Sequence, residues 1–129
     1  MARILIVEDN PDNMKLFRAL LTLKGHQVTA LPSGEGLLES LASSKPDLVL
    51  MDIQLPGRDG FELLTEIRAS PFAEIRVVAL TAHAMSGDRE KARSAGFDEY
   101  ITKPIDIATF PDLVAKALAQ GDSVRGKGR

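Results

Sequence analysis

Residues 48–52, Leu48-Val49-Leu50-Met51-Asp52, form an unbroken apolar run that ends on an acidic residue. An apolar run of this length without alternation is typical of a strand in a parallel sheet that is covered on both faces. Four other short apolar runs occur along the chain, at Ile4–Val7, Val28–Leu31, Val77–Leu80 and Tyr100–Ile101. Together the five runs predict five strands of one parallel sheet.

Segments with helical periodicity separate these runs. Four of them carry apolar residues at intervals of three and four, namely Met14, Phe17, Leu20, Leu21 and Leu23; Leu37, Leu38 and Leu41; Phe61, Leu64 and Ile67; and Leu113, Val114, Ala117 and Leu118. A fifth segment, Asp88–Ala95, is polar and has only alanines to bury. Strand and helix therefore alternate, which predicts an α/β fold with a doubly wound sheet in one of a few strand orders.

Cap residues mark the ends of several predicted helices. Asn10 can cap the first helix, and Pro11 suits the first helical position. Asp59 opens the third helix in a capping-box pattern. Ser86 can cap the fourth helix, and Gly96 suits a left-handed residue after its end. These positions predict where the helices begin and end.

Pro111 decides where the last helix begins. A helix that started at Asp106 would place this proline in its second turn, where proline loses a hydrogen bond and crowds the preceding turn. The regular helix is therefore predicted to begin near Thr109 or Phe110.

The composition is that of a globular domain. The chain has 129 residues, 44% hydrophobic and 26% charged, with no cysteine and a net charge of −2. The absence of cysteine excludes disulfides and thiolate metal sites, and the balanced charge argues against a nucleic-acid binder. No apolar run approaches the ~20 residues of a membrane span. We expect one cytoplasmic domain over residues 1–120 and a flexible basic tail over residues 121–129.

Acidic residues follow two of the predicted strands. Glu8 and Asp9 follow the first strand, and Asp52 follows the third. In the strand order 2-1-3-4-5 these two strands are neighbours at the point where the order reverses, and ligands bind beyond the carboxyl ends of strands there. Converging carboxylates repel one another, and a hard divalent cation with oxygen ligands relieves that repulsion. The three acids therefore predict a Mg²⁺ site.

Two further polar residues end strands at the same edge of the sheet. Thr81 ends the fourth strand, and Lys103 follows the fifth. A carboxylate nucleophile, a metal site, a hydroxyl and an ammonium are the groups that phosphoryl transfer to an aspartate requires. The set therefore predicts that Asp52 accepts a phosphoryl group.

Five stretches, which lie at or near the ends of predicted strands, resemble bacterial response-regulator receiver domains of the CheY-like kind. They are residues 6–10, 50–56, 57–60, 80–82 and 100–104, and the resemblance covers the chain from Arg3 to about Gln120. It implies a five-stranded parallel sheet in the order 2-1-3-4-5, doubly wound as in flavodoxin and CheY. The 10–28 and 81–85 stretches are most similar to stand-alone receivers of the cell-division regulator DivK type.

The resemblance also implies roles for individual residues. Asp52 would be the phosphoacceptor. Asp9, Asp52 and the backbone carbonyl of Gln54 would hold Mg²⁺, or Mn²⁺, while Glu8 would act through water. Lys103 would pair with the phosphoryl group, and its bond to Pro104 is expected to be cis.

Two residues would report phosphorylation. Thr81 would swing toward the phosphoryl group and Tyr100 would follow inward, which would alter the face made by the fourth helix, the fifth strand and the fifth helix. Gln54 and His83 occupy positions that tune access of the hydrolytic water in the family, although His83 is about as well explained as a solvated residue. His26 is expected to be exposed.

The resemblance implies a single-domain response regulator that catalyses only its own phosphorylation and dephosphorylation. The expected partners are a sensor histidine kinase or a histidine phosphotransfer protein upstream, and a protein bound noncovalently downstream. We expect no nucleic acid or membrane partner, and a monomer or weak dimer. The few residues after the last helix leave no room for an effector domain, unless the chain is a piece of a larger protein.

Three other functions fit the sequence less well. A flavin-binding electron carrier would need a loop rich in glycine and hydroxyl residues after the first strand, where residues 8–11 would instead repel phosphate. A docking module that is never phosphorylated usually lacks part of the acid, threonine and lysine set. A phosphatase with an aspartate nucleophile usually has a second acid two residues later, where this chain has Gln54.

Overall fold

The computed structural model describes residues 2–55, 59–81 and 88–124. Five strands and five helices alternate along the chain: β1 (Arg3–Val7), α1 (Pro11–Leu23), β2 (Gln27–Leu31), α2 (Leu37–Ser44), β3 (Leu48–Asp52), α3 (Gly60–Arg68), β4 (Arg76–Thr81), α4 (Asp88–Ala95), β5 (Glu99–Thr102) and α5 (Phe110–Val124). None of the helices in the described ranges has the length and apolar character needed to cross a bilayer.

The strands form one parallel sheet in the order β2-β1-β3-β4-β5. All five predicted strands are confirmed. In the register of the central pair, Val7 lies opposite Met51. The residues that follow Val7 and Met51, the acids Glu8 and Asp52, therefore emerge side by side at the carboxyl edge of the sheet.

The core consists of two apolar clusters, one on each face of the sheet. Alternate residues of β1 point to opposite sides, so Leu5 and Val7 belong to one cluster while Ile4 and Ile6 belong to the other. The second cluster includes Phe17 of α1 stacked on a phenylalanine of α5, with ring centroids 5.3 Å apart. Burial on both faces is the physical reason that the three central strands, β1, β3 and β4, carry continuous apolar runs, whereas the edge strand β2 is partly exposed and includes Thr29.

The predicted caps are present where the structure describes them. The Asn10 side chain accepts a hydrogen bond from the Asn13 N–H at 3.0 Å, and Pro11 is the first residue of α1. Asp59 accepts in the same way from the Glu62 N–H at 2.9 Å. Gly96 follows α4 with φ of +116°, as expected of a glycine there. The predicted cap at residue 86 lies outside the described residues.

The last helix begins where the proline predicts. α5 starts at Phe110, whose N–H donates to the Asp106 carbonyl at 2.8 Å, and Pro111 is its second residue. Proline is tolerated there because its missing N–H would have no partner within the helix. The helix continues from Gly121 to Val124, into the segment predicted to be a tail. Residues 125–129 lie outside the described residues, so the tail stays a prediction for them.

Two kinds of smaller prediction were wrong. The apolar stripes are not wholly buried: Leu23 of α1 is 82% exposed, because it lies six positions after the buried Phe17 and hence well around the helix from it. Leu38 of α2 and Leu113 of α5 are exposed as well. His26 was expected to be exposed but is partly buried, and its Nδ1 accepts a hydrogen bond from the Ala2 N–H at 3.1 Å. Burial lowers the pKa of His26 from its ordinary value.

Candidate functional site

Three acids meet at the carboxyl edge of β1 and β3. Glu8 and Asp52 are 1% and 3% exposed, whereas Asp9 is exposed to solvent. Each of the three residues offers one carboxylate oxygen, and these oxygens all lie within 4.8 Å of one another. The convergence predicted from the sequence is therefore present in the structure.

Lys103 reaches this cluster from the far edge of the sheet. Its Nζ donates to Asp52 Oδ2 at 2.9 Å and also lies 2.9 Å from Glu8 Oε1. The Lys103 backbone N–H donates to the Thr81 carbonyl at 2.7 Å, and the peptide bond to Pro104 is cis, as predicted. One ammonium thus lies between two buried carboxylates and partly balances their charge.

Backbone N–H groups hold the remaining carboxylate oxygens. Asp52 Oδ1 accepts from the Gln54 N–H at 2.9 Å, and Glu8 Oε2 accepts from the Asn10 N–H at 3.2 Å. Neither bond is predictable from the sequence, because a backbone donor leaves no signature in residue type. Both carboxylates are therefore oriented by the loops that follow their own strands.

The electrostatics of the site reflect this crowding. Burial raises the pKa of Glu8, and the charge of Asp52 raises it further, even though Lys103 acts in the opposite direction. Burial alone would lower the pKa of Lys103, but its bonds to Asp52 and Glu8 outweigh burial and raise the pKa. The lysine is therefore cationic across the physiological range.

The donor set fits a hard divalent cation. Glu8 Oε1 is buried and, apart from the ion pair with Lys103, has no partner of good hydrogen-bond geometry among the described residues. An incompletely satisfied buried carboxylate oxygen, a second buried carboxylate and an exposed one at Asp9 suit Mg²⁺ or Mn²⁺, which prefer oxygen ligands and retain waters. The exposed Asp9 leaves one side of the cluster open to solvent.

The remaining predicted residues lie on or next to the neighbouring strands. Thr81 ends β4 and is 1% exposed, one residue beyond the pairing partner of Asp52. Tyr100 of β5 is 8% exposed and belongs to the first apolar cluster, so its side chain already faces inward in this structure. Gln54 is exposed, and residue 83 lies outside the described residues. The roles of these residues in switching and in water access stay predictions.

A doubly wound sheet with three acids and a lysine at its switch point defines a receiver-type signalling domain. The chain belongs to the response regulator receiver domain family, whose model matches residues 4–115. Such domains are signalling proteins of two-component systems that interact with histidine kinases and downstream proteins.

Named relatives agree with this assignment. The chain is 40% identical over 116 residues to the polar-differentiation response regulator DivK of Brucella ovis, and equally to that of Brucella abortus strain 2308, in each case covering 89% of this chain and 94% of the relative. The predicted similarity to DivK is confirmed.

Solved structures share the fold. The receiver domain of a sensor histidine kinase from Pseudomonas aeruginosa, which has a magnesium ion coordinated in its active-site cleft, superposes with a TM-score of 0.81 at 35% identity, covering 92% of this chain and 98% of that one. A response regulator from Chloroflexus aurantiacus gives a TM-score of 0.84 at 28% identity, with the same coverage.

Proposed function

We propose that this protein is a single-domain response regulator that accepts a phosphoryl group on Asp52 from a phosphohistidine of a sensor histidine kinase or a histidine phosphotransfer protein. The observation that carries the proposal is the buried Asp52 carboxylate, which lies within 2.9 Å of the Lys103 ammonium and beside two further acids. A structural aspartate would have no need of both an adjacent cation and adjacent acids. Family membership supports the same reading.

The transfer is a simple displacement. A carboxylate oxygen of Asp52 attacks phosphorus while the bond from phosphorus to the donor imidazole nitrogen breaks, and the bonding electrons remain on that nitrogen. Lys103, which contacts the attacking carboxylate, would follow the new charge onto the phosphoryl oxygens. The N–H of Gln54 would hold the other carboxylate oxygen in place.

The metal requirement follows from the acids. Asp9 and Asp52 would hold Mg²⁺ together with the backbone carbonyl of Gln54, and Glu8 would contribute through water. When bound, the ion neutralises negative charge on the incoming phosphoryl group. Without it, three acids and a phosphoryl group would repel one another in one crevice.

The output would be a change in protein binding. Thr81, at the end of β4, would close on the phosphoryl group, and Tyr100 would settle further into the core beside it. These shifts would alter the face formed by α4, β5 and α5 and favour one of two pre-existing states. A downstream protein would then bind noncovalently to that face of a monomer or weak dimer.

The direct test is the intact mass of the protein after incubation with acetyl phosphate. We expect the wild type to gain one phosphoryl group with Mg²⁺ and none with a chelator. Asp52→Asn should gain none. The matched control is Asp112→Asn, at an exposed aspartate of α5, and it should behave like the wild type.

A phosphohistidine donor completes the test. If neither acetyl phosphate nor a phosphorylated histidine phosphotransfer protein modifies the wild type in Mg²⁺, the proposal fails and a docking module becomes the better reading. Modification that persists in Asp52→Asn would show that the acceptor was assigned to the wrong residue.

A further inference from the structure

The strand that delivers Lys103 is short and has only one neighbour. β5, Glu99–Thr102, pairs with β4 alone at the edge of the sheet. Tyr100 packs into one apolar cluster and Ile101 into the other. The other two residues of this four-residue strand, Glu99 and Thr102, are polar and only partly buried. Two apolar contacts are therefore all that the side chains of β5 contribute to fixing its register from the core.

Asp98, the residue before β5, supplies a more specific constraint. Its backbone N–H donates to the Val77 carbonyl at 2.8 Å, and its carboxylate oxygen Oδ2 accepts from the Val77 N–H at 2.8 Å. Both polar backbone groups of one β4 residue are thus paired with this single aspartate. The two bonds form together only when β5 lies in the native register.

Arg68, the last residue of α3, holds that aspartate in place. Its Nη2 donates to Asp98 Oδ2 at 3.0 Å and to the Gly96 carbonyl at 2.7 Å, while its Nη1 donates to the carbonyls of Ala73 and Ile75 at 2.8 and 2.5 Å. The side chains of Arg68 and Asp98 are only 19% and 15% exposed. One guanidinium therefore joins the end of α3, the loop before β4 and the turn before β5 through charge-assisted bonds.

We propose that Arg68, acting through Asp98, is a positioning residue for Lys103. A strand advances by ~3.3 Å per residue, so a slip of β5 by one residue would move the lysine by more than its 2.9 Å separation from Asp52. Asp98 fixes one end of β5 against β4, and the bond from the Lys103 N–H to the Thr81 carbonyl closes the other end. The reaction part of this inference rests on the proposed function of Asp52.

The test compares Arg68→Met with Arg18→Met, which removes an exposed arginine of α1. Amide hydrogen exchange at Tyr100, Ile101 and Lys103, together with the NMR shift of the Lys103 ε-methylene, reports the position of β5 without any reaction. We expect Arg68→Met to exchange faster at these amides and to shift the ε-methylene signal, whereas the control should match the wild type.

The reaction gives a second readout. Phosphoryl uptake from acetyl phosphate should slow on the order of tenfold or more in Arg68→Met, since small misplacements of a reacting group are costly. Mg²⁺ affinity should not fall, because the acids lie on the loop after β1 and at the end of β3, and a displaced Lys103 would compete less with the ion. A general loss of stability would instead lower both the rate of phosphoryl uptake and the affinity for Mg²⁺.

Asp98→Asn keeps the inference testable if Arg68→Met does not fold. An asparagine oxygen can still accept from the Val77 N–H but carries no charge for Arg68, so an intermediate effect is expected. The proposal would be overturned if Asp98→Asn, and Arg68→Met where it folds, showed amide exchange at wild-type rates. A loss of Mg²⁺ affinity in parallel with the loss of phosphoryl uptake would also overturn it. If the wild type takes up no phosphoryl group, the proposed function of Asp52 fails. The amide exchange rates and the ε-methylene shift of Lys103 then still decide whether Arg68 and Asp98 position Lys103.

Discussion

Lys103 Nζ and Asp52 Oδ2 lie 2.9 Å apart although 51 positions separate the two residues in the chain. The contact crosses β4, because Asp52 ends β3 while Lys103 follows β5. The lysine neutralises carboxylates that a metal ion would also bind. Under the proposed function, its ammonium would compete with the cation before phosphorylation and would be available to the phosphoryl group afterwards.

Replacing this lysine should move two measured quantities in opposite directions. In Lys103→Met, Mg²⁺ affinity should rise because the competing positive charge is gone, while phosphoryl uptake from acetyl phosphate should fall because the product charge loses its partner. Removing one such stabilising group typically costs a factor of about 10² to 10³ in rate. Titration calorimetry and intact mass against time measure the two effects.

The matched control is Lys116→Met, which removes an exposed lysine of α5. It should leave both quantities at wild-type values. A fall in Mg²⁺ affinity in Lys103→Met would contradict the view that the ammonium competes with the ion.

Asp9 should matter for metal binding and little for folding of the metal-free protein. Its side chain is exposed, so Asp9→Asn should change the free energy of unfolding without metal by no more than about 0.5 kcal/mol. With Mg²⁺ in excess, the wild type should gain thermal stability by mass action, and the variant should gain much less. Melting curves with chelator and with increasing Mg²⁺ separate the two effects; an equal gain in both proteins would exclude Asp9 as a ligand.

His26 should make the stability of the protein depend on pH near neutrality. Its folded-state pKa lies below its ordinary value because the side chain is partly buried, and its Nδ1 must stay unprotonated to accept the Ala2 N–H. The unfolded chain therefore binds the proton more readily than the folded one. The contribution of neutral His26 to the free energy of unfolding is complete above the unfolded pKa of about 6.5 and is lost as pH falls through and below that value. Urea midpoints between pH 8 and pH 5 measure it.

A variant without this imidazole should lose that part of the pH dependence. His26→Gln should show a flatter midpoint profile than the wild type between pH 7 and pH 5.5. Identical profiles in wild type and His26→Gln would mean that the hydrogen bond to Ala2 contributes nothing to the folded state.

Gly60 should tolerate no side chain. A Cβ at this first residue of α3 would lie 2.6 Å from the Ile53 Cα, which is backbone and cannot rotate away. Gly60→Ala should therefore lower the free energy of unfolding by about 1–3 kcal/mol and displace the residue that follows Asp52, which also slows phosphoryl uptake. Chemical denaturation measures the first effect and intact mass the second.

Gly34→Ala is the appropriate comparison. A Cβ there would meet the methyl groups of Leu63 at 2.7 and 2.8 Å, and a leucine can adjust its rotamer. This variant should be less destabilised and should retain phosphoryl uptake. If Gly34→Ala were the more damaging change, the packing of Ile53 against the start of α3 would be looser than these distances indicate.

Local patterns in the sequence determined most of the fold. Short apolar runs predicted the five strands, and those of the central strands β1, β3 and β4 are continuous because a strand covered on both faces has no polar side to display. Asn10, Asp59 and Pro111 predicted helix starts, since capping and the missing proline N–H act within one turn. The predicted strand ends, together with the strand order 2-1-3-4-5, also predicted that Glu8, Asp9 and Asp52 converge in one crevice.

Only the tertiary structure decided the contacts between distant parts of the chain. Three contacts depend on distances across several elements: the ion pair of Arg68 with Asp98, the hydrogen bond from the Ala2 N–H to His26, and the position of Lys103 between two carboxylates. Residue type and spacing carry no record of such distances, because many partners could satisfy the same guanidinium, imidazole or ammonium. Packing selects one of them, and that selection fixes the geometry of the site.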